Sequence, residues 1–155
     1  MTEHLIGVIS DTHGLLRPEA LEALEGVELI IHAGDIGDAR LLRQLERLAP
    51  VHAVRGNTDR GDWAASLPTT RVVEVGGVHL YVLHELFTLD LDPAAAGLAA
   101  VIYGHSHRPH LEHKNGVLFL NPGSAGPRRF TLPVTLARIR LQGNSLQPEL
   151  VELKV

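Results

Sequence analysis

The chain contains no cysteine, which removes disulfides, thiolate nucleophiles and sulfur metal ligands together. Basic charge is scarce as well: 14 Lys and Arg against 18 Asp and Glu leave a formal net charge of −4. A polynucleotide binder needs a cationic face, so nucleic acid is not expected as a partner. No apolar run approaches the ~18 residues that span a bilayer. The opening MTEHLIGVIS has neither the basic segment nor the cleavage site of a secretory leader. These absences predict a soluble cytoplasmic protein with no membrane partner. Repeats, low-complexity tracts and linkers are missing too, so residues 1–155 read as one domain.

What recurs is a short β-rich run that ends in a polar cluster. LIGVIS (5–10) leads into DTHG, VELIIHAG (27–34) into DIGD, and VHAVRG (51–56) into NTD. VHLYVL (78–83) leads into HE, and LAAVIYG (98–104) into HSH. Runs of Val, Ile and Leu without polar alternation predict strands buried on both faces. Helical patterns separate the first three. RPEALEAL opens with Pro18 and places Leu21 and Leu24 on one face; ARLLRQLERLAP spaces Leu41, Leu45 and Leu48 helically before Pro50. This alternation predicts parallel βαβ units. After residue 70 the pattern changes to hairpins, about Gly76-Gly77, about Asn115-Gly116, and about QGNS in the C-terminal tail. The expected fold is α/β, parallel early and antiparallel late.

Ligands of open α/β sheets bind beyond the carboxyl ends of the strands, so the five polar clusters should share one crevice. They supply Asp11, His13, Asp35, Asn57, His84, His105 and His107. Taken singly, an aspartate here suits a helix N-cap, and Asn57 suits a turn. Two imidazoles two residues apart behind a buried strand have few such uses. In extended backbone, Asp-x-His and His-x-His each point two donors to one side. Nitrogen and oxygen donors without sulfur suit Mn, Fe, Co, Ni or Zn. Seven donors exceed the needs of one such ion and fit two ions sharing a carboxylate, an arrangement used for phosphoryl transfer.

DTHG (11–14), GDIGD (34–38), GNTD (56–59), LHE (83–85), GHSH (104–107) and NPGS (121–124) resemble, in order, the motifs of the calcineurin-like metallophosphoesterases. The chain is most similar to their small bacterial and archaeal phosphodiesterase branch. The resemblance implies a four-layer αββα fold, a β-sandwich flanked by helices, and a dinuclear site. One ion would take Asp11, His13, Asp35 and His107; the other would take Asp35, Asn57, His84 and His105, with Asp35 bridging. Manganese is the first expectation for the two divalent ions, with Ni, Fe, Co and Zn as alternatives. Two positions depart from the pattern: Thr58 stands where many members have histidine, and Glu85 where glycine is common.

The expected activity is hydrolysis of a small phosphoester, most readily a diester, by a hydroxide bridging the ions. Asp35, Asn57 and His105 are the candidate catalytic residues, and Asn57, Arg55 and Arg128 the candidate substrate contacts, with Arg129 a further candidate. The rivals are a phosphomonoesterase, including a phosphoprotein phosphatase, and a non-catalytic binding scaffold of the same fold. A homo-oligomer is compatible with the sequence. Of the remaining histidines, His32 beside Ala33-Gly34-Asp35 is a candidate to orient a ligand, and His110 to line the entrance. His4, His52, His79 and His113 are expected in structural or surface positions.

Overall fold

A computed structural model describes residues 2–155. The first part alternates strand and helix: β1 (Glu3–Ile9), α1 (Pro18–Ala23), β2 (Leu29–His32), α2 (Ala39–Glu46), β3 (Val51–Ala53) and the short α3 (Asp62–Ala65). The second part is mostly strand: β4 (Thr70–Val75), β5 (Val78–Leu83), β6 (Ala100–Ile102), β7 (His110–Lys114), β8 (Val117–Asn121), β9 (Thr135–Gln142) and β10 (Ser145–Glu152). They form two five-stranded sheets, ordered β10-β9-β1-β2-β3 and β4-β5-β6-β8-β7. In the first sheet β1, β2 and β3 are parallel, and the C-terminal hairpin β9–β10 returns antiparallel against β1.

All three expected hairpins form, at the expected turns. Parallel pairing also continues late, because β5, β6 and β8 run side by side in one direction. The 84–99 connection makes that crossover with a single 3-10 turn at Leu86–Thr88 instead of a helix.

Both faces of the central strands are covered, as their uninterrupted apolar runs require. Ile6, Val8 and Ile31 point into the layer between the sheets, against Leu80, Val82, Ile102, Leu118 and Leu120. The alternate residues Ile9 and Ile30 face the helices, with Leu24, Leu41 and Leu45. The outer face of the second sheet is covered by the 86–98 segment, through Leu86, Leu89 and Leu91. The fourth layer of the sandwich is therefore mostly irregular chain.

The helices are shorter than their leucine patterns suggest. α1 ends at Ala23, where Leu24 caps it yet remains fully buried. α2 ends at Glu46, so Leu48 lies beyond it and is exposed. Among the described residues, no helix is long and apolar enough to cross a membrane.

Candidate metal centre

Five strands, β1, β2 and β3 of one sheet and β5 and β6 of the other, end at the same edge of the sandwich. The loops beyond them continue the sheet's hydrogen bonding. The N–H groups of Asp11, His13 and Gly14 donate to the carbonyls of Gly34, Asp35 and Ile36 at 3.0, 2.9 and 2.7 Å. That ladder holds Asp11 and His13 beside Asp35. Gly104 N–H donates to His84 O at 3.0 Å, and His105 N–H donates to Asp11 Oδ2 at 3.0 Å. The last bond joins the two sheets at the site.

All seven candidate ligands meet there. Asp11 Oδ1 lies 3.9, 3.8 and 3.5 Å from Nε2 of His13, His84 and His107. Asp35 Oδ2 lies 3.7 Å from His13 Nε2 and 3.2 Å from His84 Nε2. Two groups with mutually close donor atoms result, Asp11–His13–His107 and Asp11–Asp35–His84. Asn57 and His105 sit beside the second group, Oδ1 to Nδ1 at 3.2 Å, with the His105 ring edge-on to His84 at 5.2 Å. Both carboxylates span the two groups: Asp11 belongs to each, and Asp35 approaches one imidazole of each.

The backbone differs from the extended geometry expected for Asp-x-His and His-x-His. Asp11, His13, Asp35, His105 and His107 all have positive φ, at 54°, 45°, 56°, 74° and 63°. The chain has left its strands by these positions, and left-handed turns, not strand alternation, aim the side chains. Among the described residues only Asn115 and Phe130 share this conformation without being glycine or a candidate ligand. Such strain concentrates where function requires it.

Several contacts fit a cation. One oxygen of each carboxylate is engaged: Ser10 Oγ donates to Asp11 Oδ2 at 2.6 Å, and Thr58 N–H to Asp35 Oδ1 at 3.0 Å. The other oxygen of each faces the imidazoles. His84 Nδ1–H donates to Ala33 O at 2.7 Å, which leaves the Nε2 of the neutral ring as a lone pair. That lone pair faces the Asp35 carboxylate, and buried Asp11 Oδ1 and His84 Nε2 have no hydrogen-bond partner. Acceptors converging without donors fit a shared positive charge.

Protonation behaviour follows from the same geometry. Burial works against a charged His84, yet the adjacent carboxylates of Asp35 and Asp11 outweigh it and raise its pKa. Burial likewise works against ionised Asp35, but His84 and the Thr58 N–H together hold it below the usual carboxylate range. Asp11, more deeply placed, is raised by burial despite His84 and Ser10. His107 is lowered to about 4, first by burial and then by the charge of Arg129.

His32 is fully buried. Thr12 Oγ1 donates to Ile36 O at 2.9 Å, so His32 Nε2–H donates to Thr12 Oγ1 at 3.0 Å. Its Nδ1 accepts from Gly34 N–H at 3.1 Å. The ring thus ties the loop carrying Asp11 and His13 to the loop carrying Asp35.

NPGS forms a turn beneath the site. Asn121 donates to Gly104 O and accepts from Gly123 N–H, and Ser124 Oγ donates to Asp11 O. Close approach excludes side chains at two glycines: a Cβ on Gly56 would overlap Asp35, and one on Gly104 would overlap Ser10 and Asp11.

The arginines divide. Arg55 lines a cavity that contains Asn57 and His84. Arg128 instead donates to the carbonyls of Leu132 and Val155, so its guanidinium is committed to the chain's own backbone. Its neighbour Arg129 acts on His107. His110 is exposed and pairs with Glu112 at 3.2 Å. Two contributors stand outside the seven candidate ligands: Asp59, which accepts from Gly37 and Gly56 N–H, and exposed Phe87, which carries no motif signal, its ring 6.3 Å from His105. The final Asp of GNTD was the one available clue, to Asp59.

The sequence model of the calcineurin-like phosphoesterase superfamily domain matches residues 5–144. A probable metallophosphoesterase of Methanothermobacter thermautotrophicus is 36% identical, over 95% of this chain and 91% of its own length. A phosphodiesterase of Methanocaldococcus jannaschii is 31% identical, over 76% of this chain and 82% of its own. In fold, vacuolar protein sorting 29 from Cryptosporidium parvum superposes over 100% of both chains with a TM-score of 0.79 at 20% identity. The chain belongs to the calcineurin-like phosphoesterase superfamily.

Proposed function

We propose that the protein is a metal-dependent phosphodiesterase with two divalent ions, manganese the first to be tested. Asp11, His13, Asp35 and His107 would hold one; Asp35, Asn57, His84 and His105 would hold the other. The observation that carries this reading is the His84 Nε2 lone pair facing Asp35 Oδ2 at 3.2 Å, both buried, with Asp11 Oδ1 also unpartnered. Ions bound there supply Lewis acidity, offsetting charge on the phosphoryl group and acidifying water towards neutrality.

The chain's own residues do the rest. Thr58 N–H and Ser10 fix one oxygen of each carboxylate, so the other stays aimed at the centre. The Asn57 amide stands exposed at the mouth of the site, where it can meet a phosphoryl oxygen. Arg55 brings positive charge to the cavity that Asn57 lines, and Arg129 brings it to the neighbourhood of His107. The Thr58 hydroxyl is far too weak an acid to protonate a leaving group, which favours alcohols that leave as stable anions. The diester preference draws support from the Methanocaldococcus relative named a phosphodiesterase. A scaffold role has support from the fold of vacuolar protein sorting 29, but a scaffold has no use for seven converging donors, five of them on strained backbone.

The test is elemental analysis of protein reconstituted with Mn²⁺, Ni²⁺ or Zn²⁺, alongside hydrolysis of bis(4-nitrophenyl) phosphate and 4-nitrophenyl phosphate. The reading requires close to two ions per chain, faster diester turnover, and activity that a chelator removes and metal restores. Metal-free protein after every reconstitution would refute it.

A further inference from the structure

Beside the candidate centre lies an open cavity of about 560 Å³. Asn57, His84 and Tyr81 are among its lining residues, together with four polar side chains, Arg55, Thr70, Glu85 and Asp90. The side chains of those four form no hydrogen bond or ion pair with any other described residue. Thr88 Oγ1 donates to the backbone carbonyl of Glu85, which leaves the Glu85 carboxylate free. His84 lines this cavity and also reaches the centre, where its Nε2 faces Asp35. Glu85 is also one of the two departures from the family pattern.

We infer that this cavity holds one alcohol group of the substrate diester, and that this group is a neutral polyol such as a glycerol or sugar residue. The inference rests on the phosphodiesterase reading and adds the substrate class.

Charge sign decides between occupants. A second phosphate would meet Arg55 but be repelled by Glu85 and Asp90. A quaternary ammonium would be drawn by the two carboxylates, yet it meets Arg55 and offers no proton for Glu85, Asp90 or Thr70 to accept. An aryl or alkyl group would displace water from three charged side chains and return no hydrogen bond. Hydroxyl groups are neutral and both donate and accept. They alone match a wall that combines carboxylates, hydroxyls and a guanidinium. A vicinal diol can bridge the two oxygens of a carboxylate, as ribose does in dinucleotide sites.

The experiment compares three diesters that share 4-nitrophenolate as leaving group: the glyceryl, ethyl and choline esters of 4-nitrophenyl phosphate, with Mn²⁺-reconstituted protein. One hydrogen bond to a charged group corresponds to about tenfold or more. The glyceryl ester should therefore exceed the ethyl ester in kcat/KM by about tenfold, with the choline ester no better than ethyl. In Glu85→Ala and in Asp90→Ala the glyceryl-to-ethyl ratio should fall towards one. Because the readout is a ratio within one protein preparation, partial loss of folded enzyme does not move it. A wild-type ratio near one, a choline preference, or a ratio unmoved in both variants overturns the polyol assignment while leaving the phosphodiesterase reading intact. No turnover of any ester overturns the phosphodiesterase reading and the assignment with it.

Discussion

His32 offers a quantitative check on how the site is held. Burial, and after it the charge of His84, lowers its pKa from 6.5 to about 3, so the folded protein holds it neutral. In the unfolded chain it titrates near 6.5. Between these values the unfolded state binds more protons, so this contribution is complete above about pH 6.5 and is lost as pH falls. At pH 5 the unfolded imidazole gains about 1.5 pH units of protonation free energy that the folded one does not, or about 2 kcal/mol. Replacement by glutamine keeps an amide donor for Thr12 and cannot be protonated. It also risks leaving Gly34 N–H unpaired, so His32→Gln should be less stable at pH 7.5 by about 1–3 kcal/mol. The two proteins should then converge on acidification. Urea unfolding with EDTA present, at pH 7.5, 6 and 5, measures both curves. Wild type should lose about 2 kcal/mol more than the variant between the first and last pH. Parallel curves would show that His32 is not a buried neutral tie between the two ligand loops.

Other substitutions test separate parts of the site. Asp35→Asn removes the carboxylate proposed to bridge the two ions, so metal content should fall at both positions in elemental analysis; His105→Ala should retain one ion while losing most turnover. Gly104→Ala forces a methyl group into Ser10 and Asp11, and should lower stability by at least about 1 kcal/mol in thermal unfolding and weaken metal binding. Thr58→His introduces an imidazole where no general acid stands; such an acid is worth ~10²–10⁴-fold. The dependence of kcat/KM on leaving-group pKa should be steep in wild type and flatter in that variant. A flat dependence in wild type would mean that an acid is already in place.

The legible parts of the fold were those with local causes. Gly76-Gly77, Asn115-Gly116 and the QGNS turn each fix their hairpin within a few residues, and each forms. The partition into two sheets has no such signal. The alternating pattern of β9 says that it is a strand, but not that Ile139 will pair with Ile6 in the first sheet. Likewise Arg128 and Arg129 are equivalent in a sequence without periodicity; only the folded loop turns one towards Leu132 and leaves the other to act on His107.

The seven donors could be read because each stands where a strand ends, and strand ends are visible as the limits of apolar runs. How they are aimed was not visible, because the backbone there opposes local preference. Asp11, His13, Asp35, His105 and His107 all adopt left-handed φ, at a cost on the order of 1 kcal/mol or more apiece. No pattern of hydrophobicity encodes that conformation. It is imposed by bonds between distant segments: Asp11 and His13 to the Gly34–Ile36 loop, Ser124 Oγ to Asp11 O, and His105 N–H to Asp11 Oδ2. The last two of these bonds exist only once both sheets have assembled. The donors therefore cannot converge in an unfolded or half-folded chain, and metal affinity should appear together with the complete sandwich. Mn²⁺ should accordingly raise the unfolding midpoint in proportion to the logarithm of its concentration, and His32→Gln should weaken that dependence if the tie between loops is what aims the ligands.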